Sequence, residues 1–492
     1  MKHENKFVKI ILFSLLILSL LSGCTGTPGS EPAVVIEQPA LDTPTVQPGK
    51  ALPTLPPANA PTTLPNADLA SIGDPYIPEL GNLGYDVQHY ALQITLDPQT
   101  YWLEGNSTIS LVTTMDGLTS LSFDFIGMDV SAVTVDGQAA TYSRDAKKLY
   151  IDLPGDTANH QDMVIGIQYA GEPVLEPSPY VPFINNIGIQ YANDMLYIVS
   201  EPDGARTWMP VNDHPRDKAT YHLEISVPKA YVAVSNGALL DTVQGDQTNT
   251  YTWEINAPTA SYLMTIAVGN YVPVESSTPN GVPLRSYVTP ENQADFTAMQ
   301  PKIGAMLDWM STTFGPYPFD EFGYVEVSDI GASLETQTMV IMSAGMLMDE
   351  SVLCHEMAHM WFGDSVSLDT WGDIWRNEGF ATYVALMWSV QDDPQQLDDA
   401  IAGLNDTLEA NPSDYPLNDP PAEAMFGLDS YYKGAVMIHD LRRQIGDEAF
   451  FNGVQEYLRL YRGRTASQAD FQSVMEQAAG TSLDAFFTGW FE

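Results

Sequence analysis

Two hydrophobic periods divide the chain into two parts. Apolar and polar residues alternate from about Tyr85, and clearly in the segment Tyr90–Leu96, as they do in a half-buried β-strand. Similar segments, separated by turn residues, recur at 107–113, 121–125, 130–135, 149–153 and 163–169. No long helical period precedes residue 290. The pattern therefore predicts one antiparallel β domain over residues 80–270.

The period then changes from two to about 3.6 residues. Residues 293–314 are predicted to form a helix that ends before Pro316. Short apolar runs at 324–328 and 338–343 predict strands, and helical spacing dominates after them. A second, mostly helical domain is thus expected over residues 271–492, and the chain as a whole is predicted to be α+β.

The first residues have the features of an export signal. Lys2, Lys6 and Lys9 precede an apolar run, residues 10–21. The run is too short to span a bilayer comfortably. The run ends in Leu-Ser-Gly-Cys, which resembles a bacterial lipobox with Cys24 as the lipidated residue. We predict a lipoprotein signal peptide over residues 1–23. The alternative is an ordinary signal peptide with an incidental cysteine.

Residues 24–79 are rich in Pro, Thr, Ala and Gly and show no hydrophobic period. Such a segment cannot bury a core and is expected to be an extended or disordered tether. With Cys24 lipidated, it would hold the folded part at the outer face of a cell membrane, either extracellular or periplasmic. The expected protein is a monomeric, exported lipoprotein.

The charge balance excludes one class of partner. The 492 residues include 63 acidic and 20 basic residues, a formal net charge of -43 at pH 7. Proteins that bind nucleic acid present a basic surface, so no nucleic-acid partner is expected. A general acidic surface is the simpler interpretation of this charge.

One short motif indicates catalytic chemistry. His355 and His359 are four residues apart, which places both imidazoles on one face of a helix predicted over residues 349–362. Glu356 lies beside them as a general base, and Glu378 is the expected third ligand, about two turns into the next helix. Two histidines and a carboxylate form a hydrolytic zinc site with an open position for water. Cys354 is expected to be a small buried residue and not a ligand.

Zinc-assisted hydrolysis of a peptide bond also needs a donor for the oxyanion. Tyr431, in Tyr431-Tyr-Lys-Gly-Ala435, is a candidate. Together with Asn377-Glu-Gly-Phe-Ala381 after the zinc motif, this segment resembles the aminopeptidase N family of gluzincins. The Arg-Thr-Trp-Met-Pro and Asn-Asp-His-Pro segments within residues 205–215 are similar to the same family. The resemblance selects Tyr431 over Tyr432 as the donor. It implies a saddle-like antiparallel β domain followed by a thermolysin-like zinc catalytic domain.

The resemblance also implies two substrate-binding carboxylates. Glu335 lies where the family has Gly-x-Met-Glu-Asn, although Ala332, Leu334 and Thr336 replace the other motif residues. Glu201 lies where the family has a second amine-binding residue. Two carboxylates near an ammonium group form charge-assisted hydrogen bonds and would restrict cleavage to the first residue.

The expected activity is therefore that of a zinc metallo-aminopeptidase acting on extracytoplasmic peptides with a free N-terminus, with water activated by zinc and Glu356. The short chain after Glu378 suggests a two-domain member with an open site. Two alternatives remain. A metallo-endopeptidase is favoured if Glu335 and Glu201 do not meet near the zinc, and the other alternative is a catalytically silent surface protein that binds peptides.

Overall fold

The computed structural model describes residues 71–184, 186–328, 330–391 and 393–491. The predicted signal peptide, Cys24 and most of the predicted tether lie outside these residues. Among the helices of the described part, none is long and apolar enough to cross a bilayer.

The N-terminal part is built from strands. In chain order they are β1 (Tyr85–Asp97), β2 (Trp102–Thr113), β3 (Ser120–Asp124), β4 (Asp129–Val135), β5 (Gln138–Ala139), β6 (Tyr142–Arg144), β7 (Lys148–Asp152), β8 (Asp162–Gly171), β9 (Gly188–Ala192), β10 (Met195–Val199), β11 (Ala219–Pro228), β12 (Val232–Ser235), β13 (Ala238–Gln244), β14 (Thr248–Thr259) and β15 (Ile266–Gly269). Short 3-10 turns lie at Ala205–Thr207 and Ser261–Leu263.

Eight of these strands form one large sheet in the order β13-β14-β11-β1-β2-β8-β4-β5. The predicted antiparallel arrangement holds for six of the seven neighbouring pairs, and β1 pairs with β11 in parallel. A hairpin forces antiparallel pairing, whereas β1 and β11 are far apart in the chain and are free to pair either way. Four strands (β12-β15-β10-β9) and three strands (β3-β7-β6) form two smaller sheets.

The alternation in β1 has the expected structural cause. Its buried and solvent-facing residues alternate along the strand, and Leu92 and Ile94 of the buried face pair with Leu223 and Ile225 of β11. One apolar core lies beneath this face and includes the smaller sheets. The other face of the large sheet meets solvent, which explains its polar residues.

The C-terminal part contains six short strands and eight helices within the described residues. The strands are β16 (Val272–Ser277), β17 (Pro283–Val288), β18 (Gly323–Val327), β19 (Met339–Ser343), β20 (Val366–Leu368) and β21 (Arg464–Ala466). The helices are α1 (Gln293–Phe314), α2 (Glu350–Ala358), α3 (Trp375–Ser389), α4 (Pro394–Ala410), α5 (Gly434–Ile445), α6 (Asp447–Tyr461), α7 (Gln468–Ala479) and α8 (Asp484–Phe491). Helix α1 has the predicted bounds.

Strands β16 to β19 form a four-stranded sheet in chain order, in which the β17–β18 and β18–β19 pairs are parallel. The helices bury a second apolar core, separate from that of the N-terminal part. Fully buried aromatic side chains such as Phe296, Tyr324 and Trp375 belong to it. The first core continues into the C-terminal part, since Val325 of β18 and Ile341 of β19 belong to it.

The packed chain begins before residue 80, where the sequence predicted the β domain to start. Ile77 and Leu80 are buried, and the Asp74 carboxylate accepts a hydrogen bond from Trp371 N and lies 3.2 Å from His214 Nε2. The predicted tether, residues 24–79, therefore extends too far. Two apolar residues in a proline-containing segment show no period, so the sequence pattern could not reveal this contact.

Candidate active site

Helix α2 presents the two histidines on one face. Asp349 caps its first turn, since its carboxylate accepts hydrogen bonds from Ser351 N and Val352 N at 2.9 and 3.3 Å. His355 lies within the helix, and His359 follows its last residue with backbone angles that are still helical. The helix is shorter than the predicted span of residues 349–362, yet the four-residue spacing keeps both rings together. Cys354 is fully buried, as expected.

Helix α3 supplies Glu378 from its first turn, and not from two turns into the helix as predicted. A 3-10 turn at Trp371–Asp373 takes up the preceding residues, so α3 starts only at Trp375. Gly379 allows α3 to approach α5 closely, because a Cβ at this position would lie 2.8 Å from the carbonyl carbon of Gly434. This close approach brings the segment before α5 to the site.

Three donor atoms converge between α2 and α3. His355 Nε2 lies 3.2 Å from His359 Nε2 and 3.2 Å from Glu378 Oε2, and His359 Nε2 lies 3.5 Å from the same oxygen. A tetrahedral zinc ion with bonds near 2.0–2.1 Å holds its ligand atoms roughly 3.3 Å apart. The side chains therefore fit zinc without rearrangement.

The environment of the ligands suits metal binding. His359 Nδ1 lies 3.0 Å from the Phe362 carbonyl oxygen, which only accepts hydrogen bonds, so Nδ1 carries the proton and the Nε2 lone pair faces the other ligands. Burial alone would raise the pKa of Glu378, but the charges and hydrogen bonds of His359 and His355 lower it to about 2. The ionised carboxylate is the form that binds zinc.

Glu356 points into the same space without belonging to the ligand set. Its side chain is buried and offers a carboxylate oxygen within 4.8 Å of donor atoms of His359 and Glu335. Burial raises the pKa of Glu356 well above its usual range, against the influence of His359, and the charge of Glu335 adds to the rise. A carboxyl group with a raised pKa can both accept and return a proton.

Tyr431 lies in a π-helical turn, Asp429–Lys433, just before α5. Its ring stacks on that of His355 with centroids 5.8 Å apart and planes inclined by 16°. Burial and then the charge of Glu378 raise the pKa of Tyr431 well above 10, so its hydroxyl keeps its proton and can donate a hydrogen bond. The pKa of Tyr432 responds only to burial, which indicates that Tyr431 is the tyrosine near the carboxylates.

Glu201 and Glu335 meet beside the metal ligands. Glu201 follows β10 of the N-terminal part and Glu335 lies between β18 and β19, and each has a buried Oε1 without a hydrogen-bond partner. Glu335 Oε1 is 3.8 Å from His359 Nδ1. Burial, followed by the charge of Glu335, raises the pKa of Glu201 well above its usual range, and burial also raises the pKa of Glu335 against the influence of His359.

Two polar residues behind the site, Asp364 and Lys218, were not predicted from the sequence. Asp364 is fully buried with both carboxylate oxygens unpartnered, and burial followed by the charge of Glu335 raises its pKa well above the usual range. Lys218 donates hydrogen bonds to the Asp364 carbonyl oxygen at 2.6 Å and to Ser367 Oγ at 3.0 Å. Burial lowers the pKa of Lys218 to about 7. Neither residue has a sequence signal, because a lone Asp or Lys is usually solvent-exposed.

Comparison with known proteins agrees with this geometry. Residues 86–263 match the Peptidase M1 N-terminal domain and residues 302–490 match the Peptidase family M1 domain. The M1 zinc metallopeptidase of Deinococcus radiodurans superimposes with a TM-score of 0.80 at 30% identity, covering 86% of this chain and 97% of that one. The chain belongs to peptidase family M1. The predicted family and two-domain α+β fold are thereby confirmed, and zinc is the metal of the solved relatives.

Curated relatives of this M1 chain are longer than the chain itself. Probable aminopeptidase 1 of Sulfurisphaera tokodaii is 24% identical over 433 residues, which cover 82% of this chain and 52% of that protein. Human glutamyl aminopeptidase is 28% identical over 325 residues, covering 59% of this chain and 33% of that protein. The chain thus matches between about a third and half of the length of these relatives.

Proposed function

We propose that the protein is a zinc metallo-aminopeptidase that removes N-terminal residues from peptides. The observation that carries this proposal is the pair of buried carboxyl groups, Glu201 and Glu335, next to the ligands His355, His359 and Glu378. Each acid of the pair has an oxygen without a hydrogen-bond partner. A buried carboxyl group in this state calls for a cation or a proton, and the ammonium group of a peptide supplies both charge and hydrogen bonds.

The position of the pair limits which bond can react. Glu335 Oε1 lies only 3.8 Å from a ring nitrogen of His359. An ammonium group held there leaves room for one residue before the carbonyl group reaches the metal ligands, so the first peptide bond is the one presented. An endopeptidase needs space for several residues at this point, and two buried acids would have to lose their hydration without any compensating charge.

Zinc, when bound by the three ligands, supplies a Lewis acid for the scissile carbonyl group. Glu356 takes a proton from the attacking water and then passes it to the leaving amine, a role that suits a carboxyl group with a raised pKa. Tyr431 donates its hydroxyl hydrogen to the oxygen on which negative charge develops. Burial of the Glu356 side chain strengthens its interactions, since buried charges are weakly screened.

The names of relatives support the peptide substrate. Several curated relatives are named aminopeptidases, and a variant of the Deinococcus radiodurans M1 metallopeptidase has been solved with a Tyr-Ser-Ala substrate bound. A catalytically silent peptide-binding role has no observation in its favour, because an acid, Glu356, and a hydroxyl donor, Tyr431, both face the ligand set.

The test compares aminoacyl reporter substrates with free and N-acetylated amines, before and after zinc removal by a chelator. We expect hydrolysis of the free-amine substrates only. The activity should be lost when zinc is removed and restored when zinc is added back. Equal hydrolysis of both forms would identify an endopeptidase. Binding of free-amine peptides without turnover by zinc-loaded protein would identify the silent peptide-binding alternative.

We further propose that the enzyme is an exported lipoprotein monomer anchored through Cys24 to the outer face of a membrane. The support is the apolar run followed by the lipobox-like Leu21–Cys24 and the proline-rich segment after it. Labelled palmitate should be incorporated by the bacterial cell into the full chain and not into the Cys24→Ala variant. Equal labelling of both would contradict the anchor.

A further inference from the structure

The turn that carries Glu335 contains an unusual backbone conformation. Leu334 and Ile341 exchange two backbone hydrogen bonds of 3.0 Å, and the chain reverses direction between them. Within this turn Thr338 has a φ of 66°. A β-branched residue rarely adopts a left-handed conformation and keeps it only where surrounding contacts impose it.

The N-terminal part provides the first of these contacts through Asn236, a fully buried residue directly after β12. Asn236 Nδ2 donates to the carbonyl oxygens of Gln337 and Leu263 at 2.7 and 2.8 Å. Its Oδ1 accepts from Thr265 N at 2.8 Å. Both amide hydrogens are therefore used, and one of them ties the Glu335 turn to the N-terminal part.

The second contact is made by the hydroxyl group of Thr338. It accepts from Gly237 N at 2.7 Å and donates to the Gln337 carbonyl oxygen at 2.6 Å. Gly237 itself cannot be replaced freely, because its φ is 79° and a Cβ would lie 2.1 Å from the Glu254 carbonyl oxygen. The donor that holds Thr338 is thus part of a rigid segment.

The same turn also contacts the metal side of the site. The backbone N–H of Thr338 donates to the sulfur of Met360, the residue after His359, at 3.4 Å. The carbonyl oxygen of Thr338 accepts a hydrogen bond from Gly323 N at 2.9 Å. Thr338 is consequently held between the N-terminal part and the end of the zinc helix.

We propose that Asn236 and Thr338 are positioning residues for exopeptidase specificity. They hold the Glu335 turn in a strained conformation at the distance from the metal ligands at which Glu335 accepts a substrate ammonium group. Without these contacts the turn relaxes and Glu335 moves, whereas His355 and Glu378 keep their places on α2 and α3. This inference rests on the proposed aminopeptidase function.

The test uses variants that change hydrogen bonding with little change of shape. Thr338→Val keeps the β-branch and loses both hydroxyl hydrogen bonds, and Thr338→Ser is its matched control because the hydroxyl remains. Asn236→Asp turns the amide donor into an acceptor that faces two carbonyl oxygens. Two independent variants keep the test decisive if one of them fails to fold, and zinc content and thermal midpoint identify such a failure.

Two quantities are measured on each zinc-loaded variant: the KM and kcat for a free-amine aminoacyl reporter, and the Kd of L-tryptophan by calorimetry. When an acceptor for a charged group of the ligand moves out of hydrogen-bonding position, the ligand binds about tenfold more weakly or worse. We expect Thr338→Val and Asn236→Asp to raise KM and Kd by about tenfold, with kcat changed much less. Thr338→Ser should remain within about twofold of the wild type.

A purely structural role would give a different result, since fewer active molecules lower the apparent kcat and leave KM and Kd unchanged. That outcome in both variants would overturn the inference. The wild type and Glu335→Gln are measured in the same assays as controls. They separate failure of this inference from failure of the proposed function. If the wild type does not distinguish free from N-acetylated amines, the function and the inference both fall.

Discussion

The three converging metal donors and the two acids proposed to bind the substrate amine form two halves of one site, and they are built in different ways. His355, His359 and Glu378 come from two consecutive helices, α2 and α3, which pack on each other. Glu201 and Glu335 come from different domains and meet only where these domains touch. One half is a local motif and the other is an interface.

This difference assigns separate tasks to the two halves. In the proposed function the local half contains the hydrolytic chemistry, and helical spacing brings its two histidines together. The tight contact of Gly379 with Gly434 brings the Tyr431 segment beside them. In the proposed function the interface half selects the substrate, and the turn that carries Glu335 is held by contacts such as that of Asn236 with Gln337. Substitutions in the first half should therefore change kcat, and those in the second should change KM.

The largest effect is expected from Glu356→Gln. Loss of the proton acceptor should lower kcat by about 10³-fold, within the range of general acid–base catalysis. Zinc should stay bound at one ion per chain, because His355, His359 and Glu378 converge on one point without Glu356. Kinetics and metal analysis on the same preparation check both statements, and retained hydrolysis would refute the mechanism.

Tyr431→Phe should lower kcat by about 10²-fold and leave KM nearly unchanged, because the hydroxyl group acts on charge that develops only in the transition state. Tyr432→Phe is the matched control and should retain wild-type kinetics. A similar loss in both variants would show that the effect arises from packing in the π-helical turn.

Glu201→Gln and Glu335→Gln test the interface half. Each removes one of the two carboxyl groups that can take up negative charge beside the ammonium group, and should raise KM for free-amine substrates by about 10-fold to 100-fold. The exposed Glu224→Gln on the solvent face of the large sheet is a suitable control. Selectivity for free over N-acetylated amines is the quantity to follow, and an unchanged ratio would separate these acids from substrate recognition.

The smallest effect is expected at Asp213, in the N-terminal β part, where a substitution should change folding stability and not catalysis. Burial, followed by the charge of Asp124, raises the pKa of Asp213 from 3.8 to about 7. Between these values the folded protein binds more protons at Asp213 than the unfolded chain does, so its stability falls as pH rises from about 4 to 7. Because asparagine does not titrate, the stability of the wild type relative to Asp213→Asn should fall across this interval and then stay constant as pH rises further.

Denaturant unfolding of both proteins at several pH values measures that difference. The Asp213 carboxylate accepts from Ser261 Oγ and Arg206 N, both of which an asparagine can also engage. A constant difference at all pH values would show that Asp213 does not titrate as its burial indicates. The kcat of the two proteins should agree, because the metal ligands lie on other elements.

Much of the fold was predictable where one period dominates. Helix α1 has the predicted bounds because its apolar face repeats over 22 residues. The zinc helix was predicted too long and Glu378 too late in α3, because turns such as Trp371–Asp373 have no period of their own. The parallel pairing of β1 with β11 and the buried contact of Asp74 also join distant segments, which a local pattern does not report.

Among the site residues, sequence alone pointed to the three ligands and Glu356, since they lie in a short motif whose spacing has a direct chemical meaning. Tyr431 was one candidate, which the family resemblance selected over Tyr432. Glu335 and Glu201 were identified only through family resemblance. Asp364 and Lys218 were missed. These residues differ from ordinary surface acids and lysines only in their burial, which no single position of the sequence encodes.

The sequence by itself determined the chemistry, because helical geometry alone brings residues four apart to one metal ion. Only the tertiary structure decided the arrangement of the two acids to which we assign the proposed specificity. It buries Glu201 beside Glu335, leaves an oxygen of each without a partner, and holds the Glu335 turn through Asn236 and a strained Thr338. The physical reason is that desolvation and backbone strain arise from contacts between distant segments, and such contacts exist only in the folded chain.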